Sequence, residues 1–480
     1  MDYNAIVIGS GVGGCAAGAA LSGAGMKVLV LEQKTLIGGR CSTIEKKGFK
    51  VDIGSHLVYR CEHGPFEEAC KRVDMGGKVQ FGHVKNWLYQ HSDKKINLKM
   101  EPIIRFLKDM IPEEYLQVVG SMIPSMISSS EEEGGRYDNV SIKEFVDKYT
   151  DNLAIRDFIN QLGFISTWTP IWETSMGEII NILLQSLGAM FEGISEDVFF
   201  LGYPKGGLIS YPKTLCEGIR SKGGTVLTST GVKRVIVENG KVMGVETTDG
   251  VIYKSDIVVS NAGIKETILN LVGKEHFEED YVKKIERLKT SWSVYCLRLA
   301  LDKKVTDFDA AFVIPSPDME KFDRIVYEEQ RVPDDMLPHI MITSPSNMDP
   351  SIAPEGKQLI VAIGGCLYEP KENWSKWEER IMDAVEFTIP GIKEHIMWKD
   401  FLTPGVYNSL GEVGAPLIGI AQSYDQVGKN RPSSISPVEG LYYVGCEAGE
   451  GISGIGMELG TQSGLTCAEH IIENRSLSRL

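Results

Sequence analysis

"AIVIGSGVGG" (residues 5–14) is the stretch on which the fold of this 480-residue chain turns. An apolar, β-branched run enters a turn marked by Gly9, Gly11 and Gly14, and the small-residue stretch "GGCAAGAALSGAG" (13–25) follows. The run has the unbroken hydrophobicity of a strand buried on both faces. The alanines and glycines after it suit a helix packed close to a sheet. A second such strand, "KVLVLE" (27–32), ends in an acid. Gly9 and Glu32 are 23 positions apart, close to the spacing at which an acidic side chain meets an adenosine ribose.

Each glycine then has a mechanical task. Gly9 permits the tight turn, Gly11 and Gly13 keep backbone bare beside a pyrophosphate, and Gly14 lets helix and strand touch. The phosphates would rest on unsatisfied amides at the positive end of a helix dipole. Strand, glycine turn, helix, strand and acid together predict a dinucleotide site. An acid at position 32, rather than a base, favours an unphosphorylated ribose, so FAD or NAD.

Composition narrows the function classes. The 50 basic and 65 acidic side chains leave a formal charge of −15, which repels phosphate backbones and argues against nucleic acid as a partner. Nine scattered cysteines with no C-x-x-C pair suit reduced thiols and a cytoplasmic setting. The N-terminal residues enter a strand at once, without the pattern of a leader. The longest apolar candidate, "IINILLQSLGAMF" (179–191), lies between Glu178 and Glu192 and is too short to span a bilayer. The terminal Ser478-Arg479-Leu480 only faintly echoes a peroxisomal address. "CEHG" (61–64) and "FGHVKNW" (81–87) lack metal-ligand spacing, so no metal is expected. The chain exceeds the size of a single core, which predicts two domains or one elaborate multi-layer fold.

Three segments carry a family resemblance. "IGGRCSTIEKKGFKVDIGSH" (37–56) resembles the Gly-Gly-Arg segment of the large FAD-dependent superfamily that holds flavin amine oxidases, phytoene desaturases and Rab-GDP-dissociation inhibitors. The likeness implies that Gly38 and Gly39 bring backbone against the cofactor and that Arg40 packs by its diphosphate and ring system. Asp52, Gly54 and His56 match the Asp-x-Gly-x-His that follows. Residues 203–263 resemble the superfamily's middle segment: a helix from about Ile209, strands near 225–228, 232–237 and 242–247, and another in "DIVVSNA". There Val232 would pair its backbone with the adenine. "GLYYVGCEAGEGISGIGMELGTQSGLTCAEHII" (440–472) resembles the closing motif, with Gly445-Cys446-Glu447 in its Gly-x-Glu form. A loop through Gly454 and Ile455 would lead into a helix whose N-terminus stabilises negative charge on the flavin pyrimidine.

The resemblance implies an α/β plus α+β architecture. A Rossmann-like, glutathione-reductase-type FAD-binding domain would be built from 1–75, 203–270 and 431–480. A substrate domain of antiparallel sheet and helices would be inserted as 76–202 and 271–430. In the first insert, "EPIIRFLKDMIPEEYLQVVGSMIPSMISS" (101–129) has helical spacing cut by Pro112 and Pro124, and 129–139 reads as a polar loop. Its Met-rich helices read first as core, although such inserts in the superfamily form lipophilic tunnels that dock on membranes. Trp168 and Trp172 read first as packing, with the lining of a ligand cavity as the alternative. In the second insert, strands are expected at 292–301, 310–314 and 357–367 and a helix at 372–388. "TSWSVYCLRLALDK" alternates like a half-exposed antiparallel strand.

No nucleophile–base set is evident, so no side chain is singled out as catalytic; a flavin supplies such chemistry itself. "AIGGCLY" (362–368) lacks the third glycine and helix of a second nucleotide site. Electrons would then pass to or from quinone, oxygen, a protein carrier or a diffusing nicotinamide. The resemblance implies an FAD-dependent oxidoreductase of the phytoene desaturase, carotenoid isomerase and retinol saturase group, acting on C–C bonds of an apolar isoprenoid or polyene. It would be cytoplasmic, with peripheral membrane contact. A flavin amine oxidase is the alternative, though Gly454, Ile455 and Gly456 stand where amine oxidases keep an aromatic. A non-catalytic prenyl-protein binder is the minor one.

Overall fold

A computed structural model describes residues 2–54, 57–99, 137–191, 201–408 and 416–477. His56, the 101–129 segment, most of the 129–139 stretch, Glu192 and the last three residues lie outside them.

Five short apolar runs form one parallel sheet: β1 (Ala5–Ile8), β2 (Val28–Leu31), β3 (Thr225–Leu227), β4 (Val258–Ser260) and β5 (Leu441–Tyr443). Their spatial order is β3-β2-β1-β4-β5, so three distant parts of the chain meet with β1 at the centre. Every residue of β1 and β2 is buried, which is why these runs are apolar throughout rather than alternating. One face is covered by α1 (Val12–Gly23), α2 (Ser210–Ser221) and α3 (Gly456–Leu477). The other packs on the meander Val232–Lys254 and on residues 264–288 through Val235, Val245, Ile268, Leu271 and Ile285. Residues 271–288, read from sequence as part of the insert, thus share the core of the parallel sheet.

The second sheet has seven strands, in spatial order Ile396–Leu402, Ser293–Leu301, Gln358–Cys366, Ile340–Thr343, Ala310–Ile314, Asn86–His91 and Lys94–Lys99. All neighbours are antiparallel except Ala310–Ile314 beside Asn86–His91. The expected strands and the helix Trp374–Thr388 are present. One expectation fails: Ser293–Leu301 is buried along all nine residues instead of half-exposed. Helix Trp374–Thr388 covers one face, with Trp377 edge-on to Tyr295 at 5.0 Å. From the other face Arg298 donates to the carbonyl of Asp52 at 3.2 Å. A strand covered on both sides needs no polar alternation.

Strands Val58–Tyr59 and Phe81–His83 flank Leu201–Pro204 in a separate three-stranded sheet. Among the described residues, helices Ile142–Val146, Leu153–Thr167 and Met176–Phe191 belong to the first insert. Met176, Ile179 and Ile180 form a core with Tyr59 and Ile171, so Met176 packs as core; the methionines at 110, 122 and 126 lie outside the described residues.

Candidate functional site

The glycine turn sits at the C-terminal edge of the parallel sheet, where open α/β sheets hold ligands. Gly9 takes a left-handed φ of 89°. A Cβ on Gly14 would lie 2.2 Å from the Gly9 carbonyl oxygen, so helix and strand meet only because position 14 has none. α1 begins with Gly11 as its N-cap, no capping side chain and no acid in its first turn. Its leading amides therefore remain available for an anion.

Gly11 and Gly13 do something the sequence does not announce. Cβ atoms there would strike the side chain of Asn261 at 2.5 Å and 2.7 Å, and the one on Gly13 would also lie 2.9 Å from Gly445 Cα. Asn261 follows β4 and wedges between the opening turn and the closing motif. Its signal was its place: an Asn at the carboxyl end of a buried parallel strand, two residues before Gly263.

Glu32 directly follows β2 and is buried. Its Oε2 accepts from the N–H and the hydroxyl of Ser10 at 2.9 Å and 2.6 Å, and Oε1 accepts from the Lys34 N–H at 2.8 Å. Ser10 Oγ accepts in turn from the Gly38 N–H at 3.2 Å. One carboxylate thus joins the glycine turn to the Gly-Gly-Arg segment. Val232 opens its strand beside this group, since Thr230 donates to the Glu32 carbonyl at 2.8 Å.

Gly38 and Gly39 adopt φ of 97° and 56°. Gly39 faces Gly11, whose Cα would be 3.8 Å from an added Cβ with nothing else within 4 Å. That is a cradle bounded by bare backbone. Arg40 donates from Nη1 to the carbonyls of Pro416 and Leu417 at 2.9 Å and 2.8 Å. Glu447 accepts from the Ile264 N–H at 2.6 Å. Burial pushes its carboxyl up, against the opposing pull of that N–H, Arg40 and Lys265. Gly445 holds a φ of 112° and donates to Ser463 Oγ on α3 at 3.2 Å.

The loop before α3 is pinned from beneath by the insert. Glu178 accepts from Ser453 Oγ at 2.9 Å and from the Gly454 N–H at 3.1 Å. Ile455 packs on the cluster around helix Met176–Phe191. Gly454 and Ile455 were foreseen at this loop; the acid that holds them was missed. Glu458, in the first turn of α3, pairs with Arg60. The sequence offers no local pattern for a pair nearly 400 residues apart.

The family model for flavin-containing amine oxidoreductases matches residues 12–472. The chain belongs to that family. It is 24% identical to the chloroplastic prolycopene isomerase of Arabidopsis thaliana, over 99% of this chain and 84% of that protein. It is 28% identical to the phytoene desaturase of Fusarium fujikuroi, over 75% of this chain and 65% of that protein. It is also 24% identical to the 4,4'-diapolycopene oxygenase of a Methylomonas species, over 98% of both. Among solved structures, an oxidoreductase from Methanosarcina mazei superposes with a TM-score of 0.74 at 20% identity, covering 97% of this chain and 100% of that one. A redesigned putrescine oxidase superposes at 0.72 and 15% identity, over 98% and 99%. At such identities the structural likeness shows the fold alone.

The family's flavin fits the residues present. The uncapped amides of α1, the bare cradle at Gly11 and Gly39, and the cationic Arg40 form a surface for a negatively charged nucleotide. When bound, the flavin supplies the redox chemistry. Around it the chain's residues would supply bare backbone and free amides for an anion, the carboxylate at position 32 and a buried support for the closing loop.

That support carries a pH signature. Burial raises the Glu458 carboxyl to about 7, with Arg60 pulling the other way and Glu178 reinforcing the rise. The folded state then binds more protons than the unfolded chain between the ordinary value of 4.5 and about 7. Stability should therefore fall as pH rises through that window, by on the order of 3 kcal/mol from this group. Thermal melts from pH 4.5 to 8 should show this limb, and Glu458→Gln should flatten it. An equally steep limb in the variant would rule out Glu458 as its source.

Proposed function

We propose that the chain is an FAD-dependent oxidoreductase acting on C–C bonds of an apolar polyene or isoprenoid, by desaturation, saturation or isomerisation. The observation that carries this reading is end-to-end likeness to a prolycopene isomerase and a diapolycopene oxygenase. FAD is favoured among flavins because a dinucleotide accounts for both ends of the site. The diphosphate and ribose would lie against α1 and Glu32, and the ring system would lie between Arg40 and the loop at Gly454 and Ile455. The adenine would rest by Val232, and Gly445 and Glu447 would border the rest of the nucleotide.

An apolar substrate of this size is stored in bilayers, so peripheral contact of a cytoplasmic enzyme with a membrane follows from the substrate. No described helix is long and apolar enough to cross one.

The test incubates the flavin-loaded protein, without oxygen, with C40 polyenes in micelles and in parallel with primary amines. The reading expects a changed polyene absorption spectrum, a changed cis/trans ratio on chromatography, or bleaching of the visible flavin band by polyene. Bleaching by amines with polyenes unchanged on all three readouts would move the chain to C–N oxidation.

A further inference from the structure

The stretches "CEHG" and "FGHVKNW" carry no metal spacing in sequence, but the fold brings their ligand residues to one corner. Strands Val58–Tyr59 and Phe81–His83 both pair with Leu201–Pro204, and Val58 and His83 both stand opposite Gly202. The chain leaves Tyr59 through Arg60 and Cys61, which hold left-handed φ values of 57° and 36°. It then delivers Cys61 and Glu62 beside His83. One ligand atom from each of Cys61, Glu62 and His83 lies within 4.8 Å of the others.

Gly202 keeps that corner clear. A Cβ there would lie 2.7 Å from Cys61 Sγ and 3.5 Å from His83 Nδ1. Glu62 Oε1 is already 3.0 Å from His83 Nε2. Cys61 is fully buried, whereas the Glu62 and His83 side chains are about a third exposed, which leaves a way in from solvent.

We propose that Cys61, Glu62 and His83 bind a divalent zinc-class cation, with a water in the fourth position. One sulfur, one nitrogen and one oxygen form a set suited to zinc and unsuited to calcium or magnesium, which take oxygen ligands. Bond lengths of about 2.0–2.3 Å place tetrahedral neighbours roughly 3.3–3.8 Å apart. Glu62 Oε1 and His83 Nε2 are already that close, so only the approach to the Cys61 sulfur, within 4.8 Å, must shorten, by about 1 Å, which rotation of the two partly exposed side chains supplies. Cys61 releases its proton to solvent as its sulfur takes the metal. The ion would sit one residue from Arg60, the partner of Glu458. It would act as a clip holding that arginine beneath the closing loop.

The test loads chelator-stripped, flavin-containing protein with zinc, dialyses it, and measures bound zinc by atomic emission alongside thermal melting. The site predicts about one zinc per chain and a rise in melting temperature. Glu62→Gln and His83→Asn, both at partly exposed positions, should each lower zinc retention at least tenfold and remove the rise. Flavin content should stay unchanged. Equal zinc retention in wild type and both variants would mean binding elsewhere, and no retention in wild type would mean an ordinary Glu62–His83 ion pair; either overturns the proposal.

Discussion

Gly14→Ala should leave purification folded but without flavin. The added methyl would lie 2.2 Å from the Gly9 carbonyl oxygen, 3.1 Å from Asn261 Cβ and 3.2 Å from Val7 Cγ1. The first of these is backbone and cannot rotate away, so the start of α1 must move off β1. That displaces the amides that, in the proposed site, would face the nucleotide phosphates. Losing the geometry of two charge-assisted hydrogen bonds, at about 1.5–3 kcal/mol each, weakens binding by at least about 100-fold.

Gly18→Ala is the matched control. It stands on the same helix, and its nearest neighbour would be the tip of a side chain, Ile219 Cδ1 at 3.0 Å, rather than backbone. It should retain flavin. The measurement is the ratio of released flavin to protein, with circular dichroism confirming the fold. Full flavin occupancy in Gly14→Ala would show that the nucleotide does not rest on this turn.

The same turn shows how far sequence reading reaches. β1, α1 and β2 were legible because burial on both faces demands unbroken apolar runs, and Glu32 was legible because the distance from a glycine turn to the end of the next strand is fixed by one helix. Strands Asn86–His91 and Lys94–Lys99 were not foreseen: they extend a sheet whose other members begin only at Ser293, and the helical patterns downstream dominate the first insert. Ser293–Leu301 misled because its alternation reports two different partners rather than core and solvent. Asn261, Glu178 and Arg60 stayed hidden for a related reason. Their partners are assembled by the fold, and neither periodicity nor spacing encodes a contact between distant segments.

The largest stability effect is expected at Arg431. Its Nη1 donates to the Cys446 carbonyl at 3.0 Å, and its Nη2 lies 3.7 Å from Glu178 Oε1. Both side chains are only 1% exposed. Burial already pushes the Glu178 carboxyl up, and Arg431 is the strongest influence holding it down. Arg431→Met leaves that acid buried without its cation and frees the Cys446 carbonyl beside Glu447. Breaking a buried pair from one side costs about 3–5 kcal/mol, which urea unfolding near neutral pH should register.

Glu178→Gln keeps acceptor and donor groups for Ser453 and Gly454 while removing the charge. In the Glu178→Gln/Arg431→Met double variant most of the loss should therefore return. The coupling between the two sites is then the quantity that isolates charge from packing. Strict additivity would mean that Arg431 acts only through Cys446 and that the charge beneath the closing loop is not what holds it. Strong coupling would also lower flavin retention in the single arginine variant, because the Glu178 that loses its cation is the group that accepts from the Gly454 amide.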